Sequence, residues 1–317
     1  LIWNVLLMFA RSNSMLRYII KRLFISLLTL FVIAAATFFI MNLVPGSPFT
    51  GEKELPSDMQ NILNEKYGLD KPLPLQFLKY MTNLFKGDAG ISMKTGRNVS
   101  DTLLSGFKIS CIIGILAVMI AVFTGITVGC ISSFYANKVL DKIITFINTV
   151  IISMPGFLTA MLLLYFFCIK NKFFPVWEAN NINYILPAIC LSIYPGAYIS
   201  RLTRAGLVEI MDLDYIKTVR AKGGSRLYCI IVHGLRNVLI PIISYLGPLC
   251  ANVLTGSLVV ESIFSTGGMG TLFLSSVTTR DYPLIMGITI FFALLIVFIN
   301  FACDIICKFL DPRIKLS

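Results

Sequence analysis

Charge is scarce in this chain. Asp, Glu, Lys and Arg make up 14% of its 317 residues, where a soluble domain carries about 25%. That shortage, together with 56% hydrophobic residues and a mean hydropathy of +0.82, excludes an ordinary water-soluble domain. It points to an all-α, polytopic membrane protein. Histidine is nearly absent: His233 stands alone. One histidine without a neighbouring cysteine or carboxylate is a poor metal site and a poor general base. No Gly-x-x-x-x-Gly-Lys-Ser/Thr loop occurs, which argues against nucleotide hydrolysis by this chain. His-Glu-x-x-His and Gly-x-Ser-x-Gly are missing as well. No catalytic residue is therefore assigned, and neither a metal nor a cofactor is expected on the chain itself. CxxC pairs are also lacking. Seven of the eight cysteines sit in or beside apolar runs, and Cys229 lies in a basic loop. They read as small apolar helix residues. The net charge is +11, but no basic stripe with interleaved aromatics accompanies it. Nucleic acid is thus not an expected partner, and the excess reads as cytoplasmic loops.

What the chain does contain is six uncharged runs, each able to cross about 30 Å of hydrocarbon: Leu23–Val44, Ile109–Asn137, Ile143–Ile169, Tyr184–Ser200, Val238–Val260 and Tyr282–Cys303. Pro155-Gly156 interrupts the third, Pro187 and Pro195 the fourth, and Pro241 and Pro248 the fifth. Such breaks read either as bends around a pathway or as packing kinks. If the six helices alternate, sixteen of the 27 basic residues fall on one side. Both termini are then expected in the cytoplasm.

The resulting division is a cytoplasmic segment 1–22, a first span 23–44, an external loop 45–107, a five-helix core 108–306 and a tail 307–317. Residues 1–14, which precede Met15, are expected either to be extraneous or to lie on the membrane surface. Within the external loop, Ser57–Tyr67 and Leu75–Phe85 have helical spacing and predict two short amphipathic helices.

The six runs carry no carboxylate or lysine at mid-depth; Glu261, Asp281 and Asp304 lie at span ends. Ion-coupled carriers usually place ionisable groups at membrane depth. Energy is therefore expected to come from outside the chain. A secondary carrier using backbone carbonyls, and a scaffold without transport, stand as alternatives. Gly267-Gly268-Met269-Gly270 is a weak candidate for a channel filter.

The segment 201–237 is the basic exception in an apolar sequence. Asp212 or Asp214 is expected to cap a helix starting near Tyr215. Lys217, Arg220 and Lys222 suit its C-terminal half, and Gly223-Gly224 its end. The product is a rigid helix of about two turns on the cytoplasmic face. It reads either as an ordinary positive-inside loop or as a lever that a soluble partner pushes.

Several motifs, in order along the chain, resemble one family. Lys217-Thr218-Val219-Arg220-Ala221-Lys222-Gly223, followed by His233-Gly-Leu-Arg236-Asn237-Val-Leu-Ile-Pro241, is similar to the coupling loop of binding-protein-dependent ABC importer permeases. Leu43-Val-Pro-Gly-Ser-Pro48, Tyr67-Gly-Leu-Asp-Lys-Pro72 and Gly87-Asp-Ala-Gly-Ile-Ser92 match that family ahead of the core. Glu261-Ser-Ile-Phe-Ser265, Gly268-Met-Gly270, Arg280-Asp-Tyr-Pro283 and Asp311-Pro-Arg313 match it later. The resemblance covers roughly residues 15–315 and lies with the peptide and nickel branch, most with the first permease of oligopeptide and dipeptide importers.

It implies a six-span type I ABC importer permease fold in a bacterial plasma membrane. It implies a heterodimer with a second permease, two cytoplasmic ATPases carrying ATP and Mg, an extracellular solute-binding protein and a peptide cargo. Nickel or a metal–chelator complex is the alternative cargo. By this resemblance Asp214, Tyr215 and Lys217–Gly223 form the ATPase-coupling segment, and His233, Arg236, Asn237 and Pro241 anchor the returning chain. Pro155, Gly156, Pro248, Glu261, Gly268 and Gly270 are assigned to the pathway or gate. Gly224 departs from the family pattern, which has a side chain there, and is expected to loosen the hinge. Gly267-Gly268 departs from the usual Pro-Gly of the external motif.

Overall fold

The computed structural model describes residues 2–43, 71–176 and 183–310. The expected helix Ser57–Tyr67 and the motifs Leu43–Pro48, Tyr67–Pro72 and Asp311–Arg313 fall wholly or mostly outside the described residues. Every described element is helical except for one isolated antiparallel bridge, Ile91 with Asn98. In order these are α1 (Ile2–Leu43), α2 (Leu73–Phe85), α3 (Val99–Phe134), α4 (Val139–Ser153) and α5 (Gly156–Leu163), which runs on as a π-helical stretch, Leu164–Lys170. Then come α6 (Ile185–Met211) and α7 (Asp214–Ala221). A helical turn, Arg226–Tyr228, leads through a second π-helical stretch, Cys229–Gly234, into α8 (Leu235–Leu254). α9 (Leu258–Ile263), α10 (Met269–Thr279) and α11 (Tyr282–Leu310) complete the chain.

Five of these helical runs are long and apolar enough to cross a membrane, and six if the bent pair α4–α5 counts as one. The six uncharged runs fall on these helices, which begin and end at other residues than the runs do. The fourth continues past Ser200 to Met211 because Pro195 lies inside a helix that packing holds together. Pro241 and Pro248 likewise sit within an unbroken α8. Pro155 is different: the chain turns by 103° between α4 and α5. Met154 is extended (ψ 132°), as a residue before proline must be, and Pro155 starts the next helix.

The chain forms two compact units. The first gathers the described residues up to Leu103 with Ser275–Val297. Its apolar centre is Ala34, Phe38, Met286 and Ile290, with Phe77, Tyr80 and Met81 of α2 packed on it. Beside this centre lies a cleft of about 480 Å³, bordered by Phe38, Lys79, Tyr80 and Tyr282. Burial pushes the Tyr80 phenol well above its usual range. Here two separate sequence motifs meet. Ser92 Oγ donates to Asp281 Oδ2, and the Met93 N–H donates to Asp281 Oδ1 at 3.1 Å. Gly-Asp-Ala-Gly-Ile-Ser and Arg-Asp-Tyr-Pro are thus two halves of one joint.

The second unit holds Leu104–Leu274 and the helix from Phe298 on. Its core joins Ile113, Ala117 and Ala121 of α3, Ala188, Ile199 and Leu207 of α6, and Val238, Ile242 and Leu249 of α8. The contact between α3 and α6 is close because α3 presents Ala117, Ala121, Gly125 and Gly129 at four-residue intervals, a small-residue face that lets backbones approach. A Cβ at Gly125 would sit 2.8 Å from the Gly196 carbonyl oxygen, and one at Gly129 2.7 Å from that of Ser200. α6 is the least apolar of the candidate spans and the most buried.

Candidate functional site

The basic segment folds as the short helix α7, bounded by turns. Its N-cap is Leu213, which has no side-chain cap, and Asp214 opens the first turn. The expected aspartate cap is therefore corrected. Asp214 is already helical, so its carboxylate acts through the helix dipole and pairs with Lys217 Nζ at 2.8 Å. Ile216 is fully buried and seats the helix against its surroundings, while Asp214, Tyr215, Lys217 and Arg220 project outward or sit at its edge. At the C-terminal end Gly223 is left-handed, with φ +90°. The Gly223 N–H donates to Arg220 O and the Gly224 N–H to Val219 O, both at 3.0 Å. These bonds close the helix.

Gly224 does not loosen this end. A Cβ there would lie 2.8 Å from Val219 Cγ1 and 2.9 Å from Val219 O, so the second glycine allows the chain to fold tightly over its own helix. Gly224→Ala is expected to open this turn. Hydrogen exchange of the amides between Thr218 and Ser225 should then quicken, and unchanged exchange would show that the turn tolerates the methyl group.

The assigned anchor residues divide. Asn237 Nδ2 donates to Tyr215 Oη at 2.9 Å, which ties the start of α8 to α7. His233 packs edge-on against Tyr228 at 5.6 Å between ring centroids. Arg236 is exposed, and Pro241 lies within α8.

Two side chains that carry no sequence motif of their own prove central. Asp141, 2% exposed, receives Arg204 Nε at 2.5 Å and Arg204 Nη2 at 2.7 Å. It also accepts from Ser132 Oγ at 2.5 Å and from the Asn137 N–H at 2.8 Å. One carboxylate thus joins the end of α3, the left-handed turn at Asn137 (φ +68°), the start of α4, and α6. Arg226 reinforces the same corner: Nη2 donates to Ser133 O at 3.2 Å, and the guanidinium lies 5.7 Å from the Phe134 ring centroid.

The residues assigned to a pathway or gate fall into two groups. Gly156 is at the α4–α5 corner, where a Cβ would meet nothing within 4 Å, and Pro248 is exposed on α8. Glu261, Gly268 and Gly270 form a closed knot instead. Glu261 is 1% exposed. Its Oε1 accepts from Ser110 Oγ at 2.6 Å and its Oε2 from the Gly270 N–H at 2.8 Å. Ser110 Oγ in turn accepts from the Met269 N–H at 2.8 Å. A Cβ on Gly268 would lie 2.5 Å from Glu261 Oε2. Glu261 and Asp281, expected at span ends, are buried there, as is Asp141. Each is surrounded by hydrogen-bond donors, the condition for burying a carboxylate. Among the described residues, no group of three His, Cys, Asp or Glu comes together to hold a metal ion.

Comparison with known proteins matches most of the chain. A family model described as binding-protein-dependent transport system inner membrane component covers residues 125–316. Its N-terminal companion covers residues 15–111. The chain is 41% identical over 305 residues to the dipeptide transport system permease protein DppB of Bacillus subtilis, covering 95% of this chain and 99% of that one. It is 34% identical to the oligopeptide transport system permease protein OppB of Escherichia coli K12, covering 95% of this chain and all of that one. A chain of the MetNI methionine ABC transporter, solved in an inward-facing conformation, superposes with a TM-score of 0.53 at 16% identity. That match covers 66% of this chain and 95% of the MetNI chain.

Proposed function

The chain belongs to the binding-protein-dependent transport system inner membrane components, and from that premise we propose that it is a permease subunit of an ATP-driven importer of dipeptides or oligopeptides. Family membership makes it a multi-pass protein of the bacterial inner membrane with a transport role rather than an enzymatic one. The relatives at 34–41% identity are named for dipeptide and oligopeptide transport, which favours peptide over nickel as cargo. The proposed assembly pairs this chain with a second permease, two cytoplasmic ATPases that hold ATP and Mg, and an external binding protein. Both termini face the cytoplasm.

The observation that carries the reading is α7. It is a short, charged, well-stopped helix fixed by Ile216 and by the Tyr215–Asn237 hydrogen bond. A helix held in this way moves as a body, so a push at Arg220 and Lys222 reaches α6 on one side and α8 on the other. Asp214–Gly223 is the docking segment, and His233, Arg236, Asn237 and Pro241 set the return into the membrane. Pro155, Gly156 and Pro248 border the path. Glu261, Gly268 and Gly270 hold the α9–α10 turn rigid beside it.

The test is Arg220→Glu combined with Lys222→Glu. Reversing two exposed cations on one helix face is expected to lower peptide uptake by at least about tenfold and to weaken ATPase co-purification. The permease should still fold, because neither side chain is buried. Wild-type uptake with wild-type ATPase recovery would remove α7 from the docking role.

A further inference from the structure

The open faces of the spans differ in kind. α1 shows Phe24, Leu28 and Phe31, α3 shows Ile115, Met119 and Phe123, and α11 shows Leu294 and Phe298. Such faces suit hydrocarbon. α6 does not follow them. Beyond Ile185, its exposed residues are Tyr194, Tyr198, Arg201, Ala205 and Glu209. Their spacing of four, three, four and four keeps them on one side of the helix. α8 exposes Asn237, Pro241, Ser244, Pro248 and Asn252 in the same rhythm; Leu239 is its exposed large apolar side chain.

The two faces meet at tyrosine. The Tyr198 and Tyr245 rings lie 4.5 Å apart between centroids, inclined by 32°, and Tyr194 stands one helical turn before Tyr198 on the same face. Tyr194 is 48% exposed and Tyr198 38%. Tyrosines on a lipid-facing helix gather at the membrane interfaces. These three stand near the middle of their helices, and the same α6 face continues into Arg201 and Glu209. Three phenols grouped at mid-helix, on a face without large aliphatic side chains, suit a wet or protein-covered surface rather than lipid.

We propose that Tyr194, Tyr198 and Tyr245 form a wall of the membrane path that contacts the main chain of the transported peptide, a step that rests on the peptide-importer reading above. Peptides of different sequence share only their amides and termini. A phenol hydroxyl both donates and accepts, so it can follow N–H and C=O groups in turn, and the ring faces cover apolar side chains of any shape. Arg201 lies one turn beyond Tyr198 and suits a terminal carboxylate. No formal charge lies among the three phenols themselves, which keeps contact weak enough for release, as passage requires.

The complete transporter, reconstituted in proteoliposomes, supplies the test, with trialanine as the probe. The triple variant Tyr194→Phe, Tyr198→Phe, Tyr245→Phe keeps the rings and removes the hydroxyls. Uptake at subsaturating trialanine is expected to fall about tenfold, with subunit recovery unchanged. Uptake within twofold of wild type would overturn the proposal. So would loss of the second permease on purification, because the face would then be a subunit interface.

A second measurement does not depend on uptake. Tyr198→Cys is expected to react with a charged, membrane-impermeant thiol reagent above the wild-type background and to be protected by trialanine, whereas Met119→Cys on the apolar α3 face stays unreactive. Equal reactivity at both positions, or labelling at Tyr198→Cys that trialanine does not slow, would count against the wall. A wild-type complex that takes up no peptide at all would instead sink the importer reading, while the thiol comparison would still report whether the face is wet.

Discussion

Asp141→Ala is expected to deprive the cell of assembled protein. The substitution removes one acceptor and leaves Arg204, Ser132 Oγ and the Asn137 N–H without their shared partner. Breaking a buried ion pair by deleting one member costs about 3–5 kcal/mol. The Arg204 side chain retains 29% exposure, so the lower part of that range applies, and it is still a large fraction of a domain's net stability. Asp141→Asn should fall between, since one amide oxygen survives as an acceptor. Exchanging the pair, Asp141→Arg with Arg204→Asp, should not rescue: Ser132 and Asn137 would still point donors at position 141, where a cation now stands. Membrane yield and melting temperature in detergent measure all three variants. A charge-exchanged protein as stable as wild type would show that the attraction alone matters and that the surrounding donors do not.

Gly129→Ala reverses an ordinary expectation. In an exposed helix, alanine for glycine stabilises by about 1 kcal/mol. At Gly129 the new Cβ would meet Thr203 Cβ at 2.5 Å and the Ser200 carbonyl oxygen at 2.7 Å. Neither is the far end of a flexible side chain, so α3 and α6 must separate. Overpacking of this kind costs about 1–3 kcal/mol, and more when backbone is struck, so the steric loss outweighs the gain in propensity. Gly129→Val, and Gly125→Val beside it, should prevent stable accumulation. Gly156→Ala is the control, because its Cβ would meet nothing within 4 Å. If Gly129→Ala melted at or above the wild-type temperature, the helices would have to be less closely packed than described.

Much of this architecture is legible in the residue order. Apolar run length locates the spans, and the left-handed need at Gly223 marks the end of α7. Pro155 after Met154 marks the sharp corner. What escapes sequence reading is partnership across distance. Asp141 and Arg204 lie 63 positions apart, and each reads singly as a loop charge near a span end. Glu261 also reads as a span-end charge, because its donors come from Ser110 on another helix and from a glycine turn. The nearest hint is the accompaniment of glycines: Gly256 and Gly268 crowd that carboxylate and leave no room for side chains. The tyrosine face hides for another reason. Tyr194 and Tyr198 are one turn apart in plain view, but only the burial of the opposite α6 face shows which side stays open.

That imbalance in α6 bears on how the protein is made. α1 and α3 are apolar enough to partition into lipid on their own. α6, with tyrosines, an arginine and a glutamate along one side, gains little by entering the bilayer alone. Its place is secured by the glycine face of α3, which already exists, and by α8, which does not exist until α7 has been synthesised. The membrane position of α6 thus depends on its packing against α3 and α8 more than on its own hydropathy, which is the lowest among the candidate spans.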